Sequence, residues 1–160
     1  TREQRLEIMR DSRIGAYGTI ALLLTFIGKA AIYETLIGAD PITIIALLAS
    51  AAAFSRGLVV DLMWATRPAR SEGLSIFAGR PGKHSALFSL VSGGLGAILA
   101  TSLVLSLVAA VVSMLAAFIV LAILRALAMR QIGGQTGDVC GATQVLTELA
   151  MLAVYAAMIG

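Results

Sequence analysis

The chain has 160 residues, of which 59% are hydrophobic and 13% charged, and its twelve bases and nine acids leave a net charge of +3. Counted with glycine and without tyrosine, the apolar share is about two-thirds, where soluble domains run ~45–50%. So few charges cannot clothe a soluble fold of this size, which excludes a soluble enzyme, a disordered tail and a nucleic-acid-binding domain.

The chain opens on Thr1 with a densely charged segment, and shows no basic-then-apolar signal peptide with a cleavage site. Glu3, Glu7 and Asp11 fall at i, i+4 and i+8, on one side of a helix, with Leu6 and Met9 on a neighbouring strip. This predicts a short interfacial helix leading into the first membrane span. Its acidic row either holds a cation or is a solvated face paired with nearby arginines.

Crossing a hydrocarbon core of ~30 Å takes about 20 mostly apolar residues. Such stretches lie at about 14–33, 41–65, 85–103, 107–124 and 143–159. In the first, Lys29 is the only charge and lies near the far end, within reach of the interface. Between His84 and Leu124 there is no formal charge, and one helix of that length would be ~60 Å, so the stretch must fold back. The turn is placed near Thr101 to Leu107, around Ser102 and Ser106. The predicted fold is therefore all-α, a polytopic transmembrane bundle of about five spans forming one integral membrane domain over residues 1–160.

Bases sort by side. The N-terminal flank carries Arg2, Arg5, Arg10 and Arg13, the second loop Arg67, Arg70, Arg80 and Lys83, and the fourth loop Arg125 and Arg130; the other flanks carry none. The positive-inside rule puts the N-terminus and these two loops in the cytoplasm. The polar, glycine-rich sequences fall on the same three segments: Arg10 to Gly18, Ala69 to Leu74 and Gly133 to Ala142. A passive bundle needs only short turns there, so a site at the cytoplasmic membrane surface is expected.

In the last segment Gly133, Gly134 and Gly137 permit positive φ and close approach to a ligand. Thr136 or Asp138 is placed to cap the following helix, and free N–H groups at such a start favour phosphate. No Lys-Ser/Thr follows the glycines, so this is not a nucleotide P-loop. Asp138 is either a helix-starting residue or a ligand of Mg²⁺, which takes one or two carboxylates with substrate phosphates. The glycines at 133, 137 and 141 also match small-xxx-small packing. Arg10 and Arg13 either grip phosphate through their planar forks or serve as orientation charges.

Arg56, Asp61 and Glu148 lie inside spans, where a charge costs at least ~2.5–3.5 kcal/mol and normally has a partner. Arg56 and Asp61 are placed toward the cytoplasmic end of the second span and Glu148 one to two turns into the fifth, so all three are expected in one cytoplasm-facing cavity. The structural alternative is an ion pair such as Arg56–Glu148. Arg70 and Glu72 either orient a ligand or cap each other. Gly93, Gly94 and Gly96 read as close helix packing. Cys140, the single cysteine, reads as a packing residue and excludes an intrachain disulfide.

Leu6 to Gly18 resembles the cobalamin synthase family, also called adenosylcobinamide-GDP ribazoletransferase, as does Gly133 to Ala142 with Glu148 following. Ala69-Arg70-Ser71-Glu72-Gly73-Leu74, with Arg56 upstream, is a third and supporting match. The resemblance implies a multi-pass enzyme of the bacterial inner membrane, with its active face cytoplasmic and a role in cobalamin biosynthesis. Such a transferase joins α-ribazole, or its 5′-phosphate, to adenosylcobinamide-GDP and releases GMP, with Mg²⁺. It implies that Asp138 and Asp11 hold the metal, that Arg10, Arg13 and Arg70 contact phosphates, and that Arg56, Gly133, Gly134, Thr136 and Gly137 also bind substrate. Glu148 would orient Arg56 or a ligand.

The family also carries an aspartate-rich stretch, D-G-x-x-D-x-x-D-G in type, shortly before the segment that starts this chain. Its absence leads to the expectation of a C-terminal portion with part of the metal site and little activity alone. The expected partners are the two substrates and the lipid bilayer, with no nucleic acid and with a homo-oligomer left open. The rival reading is a small transport or channel subunit with Arg56, Asp61 and Glu148 along a polar path. A third is a structural assembly subunit packed through its glycines.

Overall fold

The computed structural model describes residues 1–11, 13–71 and 74–160, without the side chains of Leu74 and Ser75. Within these residues the chain is helical: α1 (Arg2–Ile8), α2 (Ala16–Leu36), α3 (Pro41–Ala65), α4 (Leu74–Phe77), α5 (Lys83–Val104), α6 (Leu107–Ile132) and α7 (Gly137–Ile159). Five of these, α2, α3, α5, α6 and α7, are long and apolar enough to cross a membrane. The helix α3 coincides with its apolar stretch, and the other four run past theirs at one end or both. The i to i−4 ladder continues until a residue stops it, so α6 passes Arg125 and Arg130 and ends at Gly133, in the left-handed conformation with φ of 73°.

Capping side chains fix where the chain reverses. Asp40 accepts from the N–H groups of Ile42 and Thr43, with Pro41 in the first turn of α3. The reversal between α5 and α6 falls at Leu105 and Ser106, where the Ser106 hydroxyl accepts from the Ala109 N–H at 3.0 Å.

The bundle is tightest between α3 and α5. A Cβ on Gly57 would sit 2.9 Å from the Ser89 carbonyl oxygen, and one on Gly93 3.2 Å from that of Ala53. Membrane helices approach closely where small residues face each other, because lipid offers no competing hydrophobic drive. Gly94 faces Phe54 and Met114, whereas Gly96 faces open space and takes no part in the packing expected of it. Phe54 meets Phe118 edge-on at 5.4 Å. Toward the end away from α1, the hydroxyls of Ser50, Thr101 and Tyr155 bond to one another at 3.0–3.2 Å, joining α3, α5 and α7.

The outlier is α2. Leu36 alone of its residues is buried, and its partner is α7. Lys29 Nζ donates to Glu148 Oε1 at 2.8 Å, with both side chains largely covered. Both helices start from the same end of the bundle. At 1.5 Å per residue, Lys29 lies ~20 Å along α2 and Glu148 ~17 Å along α7, so the charges meet at one depth.

Candidate functional site

At the end of the bundle where α1 lies, three segments distant in sequence are joined. Residues 66–71 and 133–136 form a short parallel bridge between Pro68 and Gln135. The Ala69 N–H donates to the Gln135 carbonyl at 2.8 Å and the Gln135 N–H to the Arg67 carbonyl at 2.9 Å. A Cβ on Gly134 would fall on the Arg67 carbonyl oxygen, so only glycine permits this approach. Gly133 carries a second constraint beyond its positive φ, since the Arg2 guanidinium lies across it, 2.9 Å from where a Cβ would stand.

The α1 helix is tied over this junction by arginines that donate to backbone carbonyls. Arg2 reaches Ala69 at 3.4 Å, Arg5 reaches Gln131 at 3.2 Å, and Arg70 reaches up to Leu6 at 3.2 Å. Arg70 Nε is buried with no hydrogen-bond partner among the described residues. Between α1 and residues 69–71 runs an open groove of about 420 Å³, lined by Glu3, Leu6, Glu7, Arg10, Arg70 and Ser71. Arg2 and Arg5 were not singled out from the sequence, because a backbone carbonyl acceptor leaves no trace in residue type.

The predicted site residues divide between this junction and the rest of the bundle. Arg10 and Arg70 line the groove. Gly133, Gly134 and Thr136 belong to the junction, with Thr136 buried and its hydroxyl accepting from Val139 as the α7 cap. Thr136 is thus the cap and Asp138 is not; Asp138 stands exposed in the first turn after Gly137. The acidic row is broken, because α1 ends at Ile8 and Asp11 lies beyond it. Glu3 and Glu7 face the groove, while Asp11 turns onto Arg13, whose Nη2 and Nε donate at 2.7 and 3.0 Å. These bonds hold the Asp11 carboxyl below the usual carboxylate range.

The expected cavity of Arg56, Asp61 and Glu148 does not form. Arg56 is exposed and donates to the Ala52 carbonyl of its own helix at 2.8 Å. Glu148 lies halfway along α7 rather than one to two turns in, and pairs with Lys29 rather than Arg56. Because α7 begins at Gly137, well before its apolar stretch, Glu148 is deeper than the apolar onset implies; Arg56 lies at a similar depth, ~14 Å along α3 from the same end, but turns outward onto its own helix. Of the resemblance-bearing residues, Ser12, Glu72 and Gly73 lie outside the described residues.

A sequence model described as cobalamin-5-phosphate synthase matches residues 1–156. The chain belongs to this family. Relatives named adenosylcobinamide-GDP ribazoletransferase include one from Azorhizobium caulinodans, 41% identical over 95% of this chain and 58% of the relative. Another, from Bradyrhizobium diazoefficiens, is 41% identical over 98% of this chain and 58% of its own length. A third, from Shigella flexneri, is 41% identical over 95% of this chain and 60% of its own length. The chain thus spans about three-fifths of the length of these relatives. No solved structure matches it.

The residues present offer few donors for a metal. No three His, Cys, Asp or Glu residues cluster among the described residues. Asp11 is engaged by Arg13, and Asp138 stands singly at the start of α7. A single carboxylate such as Asp138 fits Mg²⁺ held mainly by water and substrate phosphates.

Proposed function

We propose that this chain supplies the phosphate-handling surface of an adenosylcobinamide-GDP ribazoletransferase. The reaction joins α-ribazole, or its 5′-phosphate, to adenosylcobinamide-GDP and releases GMP, a phosphoryl-group transfer late in cobalamin biosynthesis. The names of the relatives support the reaction. The observation that carries the placement is the groove, which α1 and residues 69–71 build together and which sets Arg10 and Arg70 beside Glu3 and Glu7.

In such a transfer the ribazole hydroxyl oxygen forms a bond to phosphorus, the bond from phosphorus to the GMP oxygen breaks, and the hydroxyl proton leaves to a base. The protein's work is positioning and neutralising charge. Arg10 and Arg70 present planar donors that match phosphate oxygens, and a groove carboxylate is within the same cleft to receive a proton. Asp138 is the residue that would hold Mg²⁺, which when bound neutralises phosphate charge. Arg13 would contact phosphate only on releasing Asp11. The sorting of bases to this end supports a cytoplasmic face and an inner-membrane location.

The test is GMP release from adenosylcobinamide-GDP and α-ribazole by membranes carrying the native gene product. Asp138→Asn is expected to abolish Mg²⁺-dependent release. Native membranes that release no GMP would overturn the reaction, and an unchanged rate in Asp138→Asn would overturn its role.

A further inference from the structure

Beside the groove lies an apolar cleft. Where the end of α1 crosses the junction of α6 and α7, Met9, Leu124, Leu127, Ile132, Val139 and Ala142 surround a space of about 200 Å³. Its floor is closed, since Ala128 and Ile132 are buried. Its one polar lining residue is Gln131, whose backbone carbonyl accepts from Arg5 and which is itself exposed. The walls come from three elements, whereas an apolar hollow along α5 from His84 to Leu95 is shaped by one helix face. Another, at Tyr33, Leu36, Ile37, Ile44 and Leu48, lies at the opposite end of the bundle.

The cleft and the cationic groove are lined by consecutive residues just past α1. Met9 lines the cleft and Arg10, the next residue, lines the groove. On the far side Val139 lines the cleft, and the residue before it is the exposed Asp138. A ligand that fits both places has a flat apolar ring system joined to a polar, phosphorylated part. Size agrees, since an apolar cavity of ~150 Å³ is enough for benzene, which leaves room in the cleft for a second fused ring. Met9, unbranched and polarisable, adapts to a ring edge.

We infer that this cleft receives the fused two-ring base of the ribazole, with its ribose directed past Met9 and Arg10 into the groove. The assignment rests on the proposed ribazole transfer and adds the place and chemistry of base recognition. An acyl chain shares the apolar chemistry, because Leu127 is half exposed on the outer side of α6, so the experiment separates the two.

The native protein in lipid nanodiscs is titrated with α-ribazole, following the fluorescence of its ring, and GMP release gives KM for each substrate. Ala142→Leu fills the cleft from α7, and Met9→Phe fills it from α1; circular dichroism confirms each fold. Each is expected to raise the Kd for α-ribazole about tenfold or more, with KM for adenosylcobinamide-GDP within about twofold of native. Free benzimidazole should compete with α-ribazole on the native protein. An unchanged α-ribazole Kd in either folded variant, with native GMP release intact, overturns the inference alone. So does displacement of α-ribazole by lauric acid but not by benzimidazole, which would make the cleft a lipid site. Native protein that releases no GMP removes the transfer reading itself.

Discussion

The two ends of the bundle solve different problems. At the end away from α1 the chain reverses at Leu105 and Ser106, and between Ile37 and Asp40, with each turn capped by its own side chain. At the α1 end the bonds run between segments far apart in sequence: Arg2 to Ala69, Arg5 to Gln131, Arg70 to Leu6, and Gln135 to Arg67. Reversing a chain requires only local hydrogen bonds for the orphaned helix ends. Holding three loops in one geometry requires bonds across them, whereas the long-range bonds of the far end, among Ser50, Thr101 and Tyr155, join helices and no loops. This contrast, more than any single residue, supports the site proposed at the α1 end.

The most severe way to break the contrast is Gly134→Ala. The added Cβ meets the Arg67 carbonyl and comes within 3.2 Å of the Ala69 backbone, so residues 66–71 and 133–136 must separate. A shift of ~1 Å in a positioning element can cost 10²-fold in rate. GMP release is therefore expected to fall about a hundredfold with the helical circular dichroism retained. The matching change at the other end is Gly38→Ala, where the nearest atom to a new Cβ is the Thr35 carbonyl oxygen at 3.9 Å. That variant should release GMP at the native rate. Equal losses in both would mean that the α1 end has no special claim.

This division also marks what sequence reading reaches. The five long apolar helices follow from stretches that only a bilayer can cover, and Ser106 identifies its turn because an N-cap hydroxyl is a residue-level signal. Bases and glycines point to residues 10–18, 69–74 and 133–142; the segments that meet are α1, 66–71 and 133–136, so only part of the first enters the junction. How they are held is not legible: Arg2, Arg5 and Arg70 donate to backbone carbonyls, which every residue carries. The Lys29–Glu148 pair is hidden for a different reason. The apolar onset sets Glu148 near the surface, whereas α7 starts at Gly137 and the acid is central; both Lys29 and Arg56 lie near that depth, and helix rotation, which an apolar stretch does not reveal, selects Lys29.

A smaller effect is expected from the hydroxyl cluster at the other end. Tyr155→Phe removes one member and leaves Ser50 and Thr101 to bond to each other. Interhelical hydrogen bonds in membranes average about 0.6 kcal/mol and reach ~1.7, so a loss of about 1 kcal/mol in unfolding free energy in detergent is expected, with GMP release unchanged. Loss of activity without loss of stability would move part of the site to that end and dissolve the contrast.

The smallest expected effect concerns Asp11 and Arg13 at the α1 end. Their bonds lower the Asp11 pKa, so whatever the pair contributes is complete above the ordinary carboxylate value of ~4 and is lost only as pH falls through the lowered one. The Arg13 side chain is 88% exposed, so water and salt screen the pair and Asp11→Asn should leave thermal stability unchanged. Between about pH 5 and 9 Asp11 should likewise contribute no inflection to the rate of GMP release. An inflection near neutrality that disappears in Asp11→Asn would show that the carboxylate leaves Arg13 when substrate arrives. Asp11 would then carry a proton beside a substrate phosphate, since a bound cation would lower its pKa rather than raise it, and the α1 end would be a surface rearranged by its ligand rather than one assembled beforehand.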